Sequence, residues 1–212
     1  GPMKSSTDTY PCTSVTVLEG LLPIRKRPSM YIGDVGWRGY HRLLYGLIEN
    51  AVREFTKNYA SFVKITLHKG LQSATVEDDG RGISIDLQPK FNVSQLEVLM
   101  TTLWVGKSQE IPKVGLSTVS ALSSTLQVTV CTGGKQYEQN YECGVPKTEL
   151  KVIGDVDSTG TKIKFSPDFG IFGEDTRFNV QLIRGFLEML SVNGKSNFTL
   201  IDEENNKEYT WV

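Results

Sequence analysis

The sequence lacks the charge imbalance that accompanies direct binding to nucleic acid. Its 212 residues include 23 lysines and arginines and 24 aspartates and glutamates, which gives a formal net charge of −1. Domains that bind a phosphate backbone through their own surface normally present an excess of basic side chains. Any contact with DNA is therefore expected to lie outside this chain.

Long apolar runs and a targeting signal are also absent. No stretch approaches the roughly 20 apolar residues that a membrane-spanning helix needs. The N-terminus has no basic segment followed by an apolar one. These absences predict a soluble, cytoplasmic protein without a membrane partner.

Cysteine is scarce. Cys12, Cys131 and Cys143 are odd in number and lack the spacing of metal ligands. This pattern favours reduced thiols over a disulfide framework or a zinc site.

The remaining composition is ordinary for a globular protein, with 39% hydrophobic and 22% charged residues. The length suffices for one domain with a substantial core. Gly1-Pro2 ahead of Met3 is typical of the remnant of a cleaved purification tag. We expect residues 1–14 to be this remnant and a flexible N-terminal arm, and residues 15–212 to form a single domain.

Hydrophobic spacing predicts helices in the first half and mainly strands in the second. Helices are predicted at residues 15–26, where Pro23 should kink or end the helix, at 40–57, after Ser94, after Ser117 and at 180–190. Strands are predicted at residues 62–68, 73–78, 126–131, 136–142, 150–153, 161–165 and 198–202, with 209–211 as an edge strand. Residues 25–34 are expected to form a basic, solvated turn. This order predicts an α+β two-layer sandwich, with one mixed, mostly antiparallel sheet and helices on one face.

Residues 76–83 combine a strand end with a carboxylate and two glycines. Asp78 ends the apolar run, and Gly80 and Gly82 follow at alternate positions. Backbone without a Cβ can approach a ligand closely, so this arrangement suits the planar, amide-like edge of a nucleobase. An ordinary Asp-Gly turn is the alternative.

The helix predicted at residues 40–57 carries two polar side chains toward the interior. At about 100° per residue, Glu54 lies inside the apolar stripe and Asn50 lies on its border. A buried carboxylate needs a cation, and Arg81 is the candidate. The Asn50 amide would suit a metal–phosphate group. The alternatives are an ordinary structural ion pair for Glu54 and a hydrogen bond along the helix face for Asn50.

These residues add up to a family pattern. The chain contains six short motifs in this order: Val17-Leu18-Glu19-Gly20-Leu21, Arg25-Lys26-Arg27-Pro28-Ser29-Met30-Tyr31-Ile32-Gly33, Glu49-Asn50-Ala51, Asp78-Asp79-Gly80-Arg81-Gly82-Ile83, Gly144-Val145-Pro146 and Thr159-Gly160-Thr161. It closely resembles the N-terminal ATPase domain of the bacterial DNA gyrase B subunit and its topoisomerase IV counterpart, in the superfamily shared with MutL, heat-shock chaperones and histidine kinases. The likeness runs from about Tyr10 to the C-terminus and implies a Bergerat-type ATP-binding fold over residues 15–212.

The resemblance implies ATP and Mg²⁺ as cofactors and assigns roles by position. Asp78 would accept a hydrogen bond from the adenine amino group with support from Thr161, and Asn50 would hold the magnesium ion. Lys107 would approach the terminal phosphate, and Tyr10 would reach the nucleotide of a partner subunit. Gly82 and Gly115 would also contact nucleotide, Gly115 because a glycine-bearing connection into a helix can accept an anion. The pocket lining would comprise Ala51, Glu54, Val76, Arg81, Ile83 and Ile163.

Four departures from the family pattern predict little hydrolysis. Gly46 occupies the position of the glutamate that acts as general base. The ATP lid is shortened near residues 108–113, Glu138 replaces an arginine over the adenine pocket, and the lysine of a second domain is not in the chain. No catalytic residue is therefore expected here. Whether the short lid and Gly46 are natural or engineered is left open.

Two hypotheses are compatible with the sequence. The chain is either the ATP-binding domain of a bacterial type II topoisomerase, gyrase or topoisomerase IV, or a divergent, non-hydrolysing relative that uses nucleotide as a dimerisation switch. The expected ligands are an adenine nucleotide or an ATP-competitive inhibitor. In the parent protein the expected partners are an A-type subunit and DNA. The fragment is expected to be monomeric, whereas the parent would dimerise through this domain.

Overall fold

The computed structural model describes Cys12, residues 17–103 and residues 114–212. Tyr10, Lys107, the predicted short lid near residues 108–113 and most of the predicted N-terminal arm lie outside these residues. The helices are α1 Leu22–Lys26, α2 Ser29–Ile32, α3 Trp37–Thr56, α4 Gln95–Thr101, α5 Leu116–Ala121, α6 Phe169–Phe172 and α7 Val180–Val192, and a 3-10 turn at Glu19–Leu21 precedes α1. The strands are β1 Val63–Leu67, β2 Ala74–Asp78, β3 Leu87–Gln88, β4 Val93–Ser94, β5 Ser123–Thr132, β6 Lys135–Glu142, β7 Val145–Pro146, β8 Lys151–Asp155, β9 Gly160–Pro167, β10 Phe198–Asp202 and β11 Lys207–Trp211.

Nine of these strands form one sheet in the described part of the chain. Their order is β11-β10-β1-β2-β9-β5-β6-β7, and β8 pairs with β6. β1 and β10 are parallel, and the other pairs are antiparallel. β3 and β4 form a separate small hairpin. The predicted mixed, mostly antiparallel sheet is confirmed.

One face of this sheet is covered by helices. On β1, Val63, Ile65 and Leu67 are buried, whereas the two residues between them are half-buried. α3 packs over β1, β2 and β9, and α7 packs over β10 and β11. Fully burying each such aliphatic side chain contributes roughly 1.5–3 kcal/mol. Paired residues on neighbouring strands share a face of the sheet, so Asp78 on β2 and Thr161 on β9, which lie in the row of Val63, are on the face that α3 covers.

The long helix α3 begins at a side-chain cap that precedes it. Its N-cap residue is Gly36, which has no side chain. The Asp34 Oδ1 atom instead accepts hydrogen bonds from the backbone N–H groups of Gly36 at 3.0 Å and Gly39 at 2.8 Å. This carboxylate satisfies donors that the first turn of a helix leaves unpaired. The Ile32-Gly33-Asp34 segment thus connects the end of α2 to the start of α3.

The basic, solvated turn predicted at residues 25–34 is confirmed for Lys26 and Arg27, which are exposed, but is wrong for Arg25 and for residues 29–32. Residues 29–32 form α2, and Arg25 is largely buried against Asp168, with 2.9 Å between Nη2 and Oδ2. Arg25 also donates to the Ala121 carbonyl oxygen at 2.9 Å. The helix predicted at residues 15–26, kinked or ended at Pro23, is wrong as well, because α1 begins at Leu22 and Pro23 lies in its first turn, where a proline is tolerated.

Two of the cysteines form a disulfide. Cys12 pairs with Cys143, with 5.6 Å between their Cα atoms, and Cys131 is free. The expectation of three reduced thiols is therefore wrong for this pair. The two residues are 131 positions apart, so no local spacing could have revealed the bond. Among the described helices, none is both long and apolar enough to cross a membrane.

A buried histidine joins α3 to α7. His41 Nδ1–H donates to the Trp37 carbonyl oxygen at 2.7 Å, and the Asn179 N–H donates to His41 Nε2 at 2.8 Å. Asn179 is in turn the N-cap of α7. Burial lowers the pKa of His41, and its hydrogen bond to Trp37 opposes this effect only in part. The folded state therefore requires the neutral imidazole.

This requirement predicts a pH-dependent stability. Because the pKa of folded His41 lies below the unfolded value, its contribution is fully present above about pH 6.5 and is lost as pH falls. The variant His41→Gln cannot take up a proton at this position. We expect it to be less stable than the wild type at about pH 7.5, and the gap between their melting temperatures to shrink by about pH 5. A gap of constant size would contradict the assignment.

Candidate functional site

Asp78 is a buried carboxylate at the end of β2. It lies opposite Val63 on β1 and Thr161 on β9, and its exposed fraction is 6%. The Gly80 N–H donates to Asp78 Oδ1 at 2.8 Å. The sheet therefore fixes the backbone, and the turn after β2 fixes one carboxylate oxygen.

Burial raises the pKa of Asp78 to about 6. The Gly80 N–H lowers it, while the nearby charges of Glu54, Asp79 and Glu77 raise it further. At neutral pH the side chain is mostly ionised, because the pH exceeds this pKa by about one unit. The end of β2 thus holds an anionic hydrogen-bond acceptor that is largely shielded from bulk water.

Neighbouring protein groups leave no room for a side chain at Gly80 and Gly82. A Cβ on Gly80 would lie 2.8 Å from Asp78 Oδ1 and 3.0 Å from Glu54 Cβ. Gly82 has a φ of +83°, and a Cβ there would lie 2.9 Å from the Cys131 carbonyl oxygen. The sequence predicted close backbone approach at these positions, but to a ligand. In the structure the approach brings the loop against α3 and β5.

Thr161 connects β9 to the glycine loop. It is buried, and the Ile83 N–H donates to Thr161 Oγ1 at 3.0 Å. Next to it, a Cβ on Gly160 would collide with the Asp78 carbonyl oxygen, so β9 and β2 approach each other closely here. The apolar residues assigned to the pocket lie nearby in the same elements: Ala51, Val76 and Ile163 are buried, and Ile83 is partly buried.

Glu54 on α3 forms an ion pair with Arg81, the partner expected from the sequence. Arg81 Nε and Nη2 donate to the two carboxylate oxygens at 3.1 and 2.8 Å, and the Arg81 N–H adds a third bond at 3.2 Å. The hydrogen bonds from Arg81 hold the pKa of Glu54 below its usual range. The guanidinium also stacks 3.8 Å from the centre of the Tyr59 ring. Tyr59 gave no signal in the sequence, because it follows α3 outside any periodic pattern.

Asp79 anchors the loop from the other side, a role that no sequence pattern indicated. Its Oδ1 accepts from the Ser61 N–H at 2.7 Å and from the Phe62 N–H at 3.1 Å, and the Ser61 hydroxyl donates to Oδ2. Burial alone would raise the pKa of Asp79, but these hydrogen bonds outweigh burial and lower it. The consecutive aspartates therefore differ: both carboxylate oxygens of Asp79 accept hydrogen bonds from the protein, whereas Asp78 accepts one at a single oxygen.

Gly46, Asn50 and Glu54 lie along one face of α3, at intervals of four residues. Asn50 is half-buried, and no described residue forms a hydrogen bond with its side-chain amide. Gly46 packs against Val114, and Gly115 is the N-cap of α5. Glu54 and Gly46 are about 12 Å apart along the axis. The face thus runs from the Asp78 loop to the start of α5.

Glu138 lies on the opposite side of the sheet from Asp78. It pairs with Thr129 on β5 and Lys151 on β8, whereas its neighbour Tyr137 occupies the strand position in the row of Asp78 and Thr161. Adjacent strand residues point to opposite faces.

Two surface cavities, of about 320 and 280 Å³, are also separate from the site: the first lies over β5, β6 and β9 near Lys164, and the second lies beside Tyr40.

The sheet, the helix that covers it and the isolated acceptor at the end of β2 define the class: an α+β nucleotide-binding domain. A family model described as "Histidine kinase-, DNA gyrase B-, and HSP90-like ATPase" matches residues 37–171. This match covers more than half of the chain, and the chain belongs to that family.

Individual relatives are similar over most of the chain. The DNA gyrase B subunit of Thermotoga maritima is 42% identical over 185 residues, which cover 83% of this chain and 29% of that protein. That of Staphylococcus epidermidis is 39% identical over 209 residues, which cover 94% of this chain and 32% of that protein. The chain thus spans about a third of the length of these curated relatives.

Two solved structures are similar in fold and sequence. The topoisomerase IV ATP-binding domain of Francisella tularensis, in complex with a small-molecule inhibitor, has a TM-score of 0.82 and 34% identity, with 92% of this chain and 96% of that chain covered. The 43K ATPase domain of Thermus thermophilus gyrase B, in complex with an aminocoumarin, has a TM-score of 0.84 and 36% identity, with 92% of this chain and 52% of that chain covered. The chain therefore has the fold of a gyrase B or topoisomerase IV ATPase domain.

The unequal burial of the Glu54–Arg81 pair predicts an asymmetric response to mutation. The Glu54 side chain is 18% exposed and that of Arg81 is 57% exposed. The variant Arg81→Met leaves a largely buried carboxylate without its cation and with the Arg81 N–H as its remaining donor, whereas Glu54→Gln leaves a solvated guanidinium that still stacks on Tyr59. Thermal unfolding at neutral pH should therefore show a larger loss in melting temperature for Arg81→Met. Equal losses would contradict this account of the pair.

Proposed function

We propose that this chain is the ATP-binding domain of the B subunit of a bacterial type II DNA topoisomerase, and that its cleft binds adenine nucleotides with little hydrolysis. The observation that carries the proposal is the buried Asp78 carboxylate, which accepts a hydrogen bond from the Gly80 N–H at one oxygen and retains capacity for a ligand. An ionised acceptor at a fixed position suits the amino group of adenine, because charge-assisted hydrogen bonds are stronger than neutral ones.

The base would be bound at the end of β2. Asp78 accepts a hydrogen bond from the adenine amino group. Thr161 Oγ1 already accepts the Ile83 N–H, so its own hydroxyl hydrogen is available to a ring nitrogen or a bridging water. The Gly82 backbone passes beside the base, and the Glu54–Arg81 pair forms the mouth of the pocket. The apolar wall of the pocket comprises Ala51, Val76, Ile83 and Ile163.

The phosphates would extend along α3 from Glu54 toward Gly46. Asn50 lies between them, and its uncommitted amide oxygen suits Mg²⁺, a hard cation that often takes few protein ligands beside substrate phosphates. In the described ranges no cluster of three or more His, Cys, Asp or Glu residues could hold a metal. When bound, the ion would neutralise phosphate charge. Gly115 and Lys107 are assigned to the phosphate end by the resemblance.

Hydrolysis by this chain is expected to be slow. Phosphoryl transfer requires a group that orients or deprotonates the attacking water, and Gly46 has no side chain to do so. Glu49 is rotated about 100° from Asn50 on the helix and cannot replace it. The cleft would therefore retain ATP as a bound ligand.

The activity of the whole protein is proposed from its relatives. The parent would use ATP-driven closure of two such domains, with Tyr10 reaching the partner's nucleotide, to pass one DNA duplex through another together with an A-type subunit. The balanced charge of this chain assigns DNA contact to other parts of that assembly. The inhibitor and the aminocoumarin in the two similar solved structures support ATP-competitive inhibitors as alternative ligands of the same cleft.

The variant Asp78→Asn tests the adenine contact. The amide is a weaker acceptor with an ambiguous orientation, so we expect the affinity for Mg-ATP by calorimetric titration to fall about 10- to 100-fold, the range for a charged hydrogen bond. Folding should not suffer, because the raised pKa means that ionisation of Asp78 opposes folding at neutral pH.

The control is Asp155→Asn, which makes the same chemical change at a side chain that is 81% exposed. It should leave the affinity unchanged. Unchanged affinity in Asp78→Asn, with a melting temperature equal to or above that of the wild type, would refute the adenine assignment.

A further inference from the structure

Gly46 occupies an unfavourable position for a glycine. It lies in the interior of the 20-residue helix α3, far from either cap. Glycine lowers helix stability relative to alanine, because it loses more backbone freedom on folding. This loss can be offset when the missing side chain allows another part of the protein to pack closely against the helix.

The contact is with the backbone of Val114. A Cβ on Gly46 would lie 2.7 Å from the Val114 carbonyl oxygen and 3.1 Å from Val114 Cβ. A main-chain carbonyl cannot rotate away as a flexible side chain can. Gly185 offers a direct comparison, because it lies inside α7 and a Cβ there would meet nothing within 4 Å.

Val114 is held in place by α5, the helix that begins two residues later. Gly115 is the N-cap of α5, and the Val119 N–H donates to the Gly115 carbonyl oxygen at 3.1 Å. Residues 117–121 of α5 are buried, and α5 packs against α3. A side chain at Gly46 would therefore have to displace a segment that is anchored in the core.

We propose that Gly46 is a positioning residue that lets the Val114 carbonyl rest on α3, so that protein fills the space one helical turn before Asn50. This inference rests on the proposed function, since it concerns the phosphate end of the same cleft. The position of the expected general base is blocked by protein, in addition to lacking a carboxylate. A glutamate at Gly46 would push Val114 outward and would not supply a base.

Matched alanine substitutions test the steric part without nucleotide. Gly185→Ala gains helix propensity and meets no neighbour, so its melting temperature should rise by about 2–4 °C. Gly46→Ala gains the same propensity but collides with Val114, so its melting temperature should fall by at least about 2–4 °C. A rise in both variants would overturn the proposal.

Hydrogen exchange locates the effect. In Gly46→Ala the amides of α5, including that of Val119, should exchange faster than in the wild type, whereas in Gly185→Ala they should not change. If Gly46→Ala does not fold, the same change is made in the stabilised Gly185→Ala background, where it should still lower the melting temperature. An equal or higher melting temperature there would contradict Val114 as the obstacle.

Binding and turnover separate this inference from the proposed function. Gly46→Glu should bind Mg-ATP more weakly than the wild type and show no gain in phosphate release. A gain in phosphate release with unchanged α5 exchange would overturn the blocked position. Absence of ATP binding in the wild type would refute the proposed function, while the alanine comparison would still decide the packing of Gly46.

Discussion

The burial of one carboxylate, that of Asp78, is the constraint on which the cleft depends. Burial raises its pKa to about 6, well above the ordinary aspartate value of 3.8, so its contribution to stability is greatest below the unfolded value and is lost as pH rises through the folded value. The fold keeps this unfavourable ion because β1 and β9 fix its backbone and Gly80 donates to one of its oxygens. An uncompensated group of this kind is typical of a functional site.

The neighbouring carboxylates of Asp79 and Glu54 differ from that of Asp78 because donors of the protein itself stabilise their charged forms. Asp79, the next residue, is fully engaged by Ser61 and Phe62. Glu54 is neutralised by Arg81. Both have lowered pKa values because protein donors stabilise their charged forms. Asp78 accepts a single hydrogen bond at one oxygen, and the capacity that remains is available to a ligand.

The sequence predicted those features that have a local period or a local energetic demand. The apolar stripe of α3, the alternation of β1 and the need of Glu54 for a cation all follow from neighbouring residues, and the fold class followed from the order of elements. Contacts between distant segments gave no such signal. Arg25 was expected to be solvated because its partner Asp168 lies far along the chain, and Cys12 and Cys143 are separated by 131 positions.

The packing around individual helix glycines could not be predicted from the sequence. Gly46 and Gly185 both interrupt amphipathic helices and are indistinguishable by pattern, yet one touches a backbone carbonyl and the other faces open space. The departure from the family motif at Gly46 indicates only a missing group. The structure adds that the neighbouring segment fills the space, which joins the loss of a base to the packing of α5.

The most direct measurement is a carbon-13 NMR titration of the aspartate carboxyl signals, without and with an adenine nucleotide. We predict that Asp78 titrates near pH 6 and that addition of nucleotide moves its signal. Addition of nucleotide should not move the signal of Asp202, a second buried aspartate, which is hydrogen-bonded to Asn205. Titration of Asp78 near the usual aspartate value of about 3.9, with no response to nucleotide, would contradict the assignment of Asp78 as the buried acceptor of the cleft.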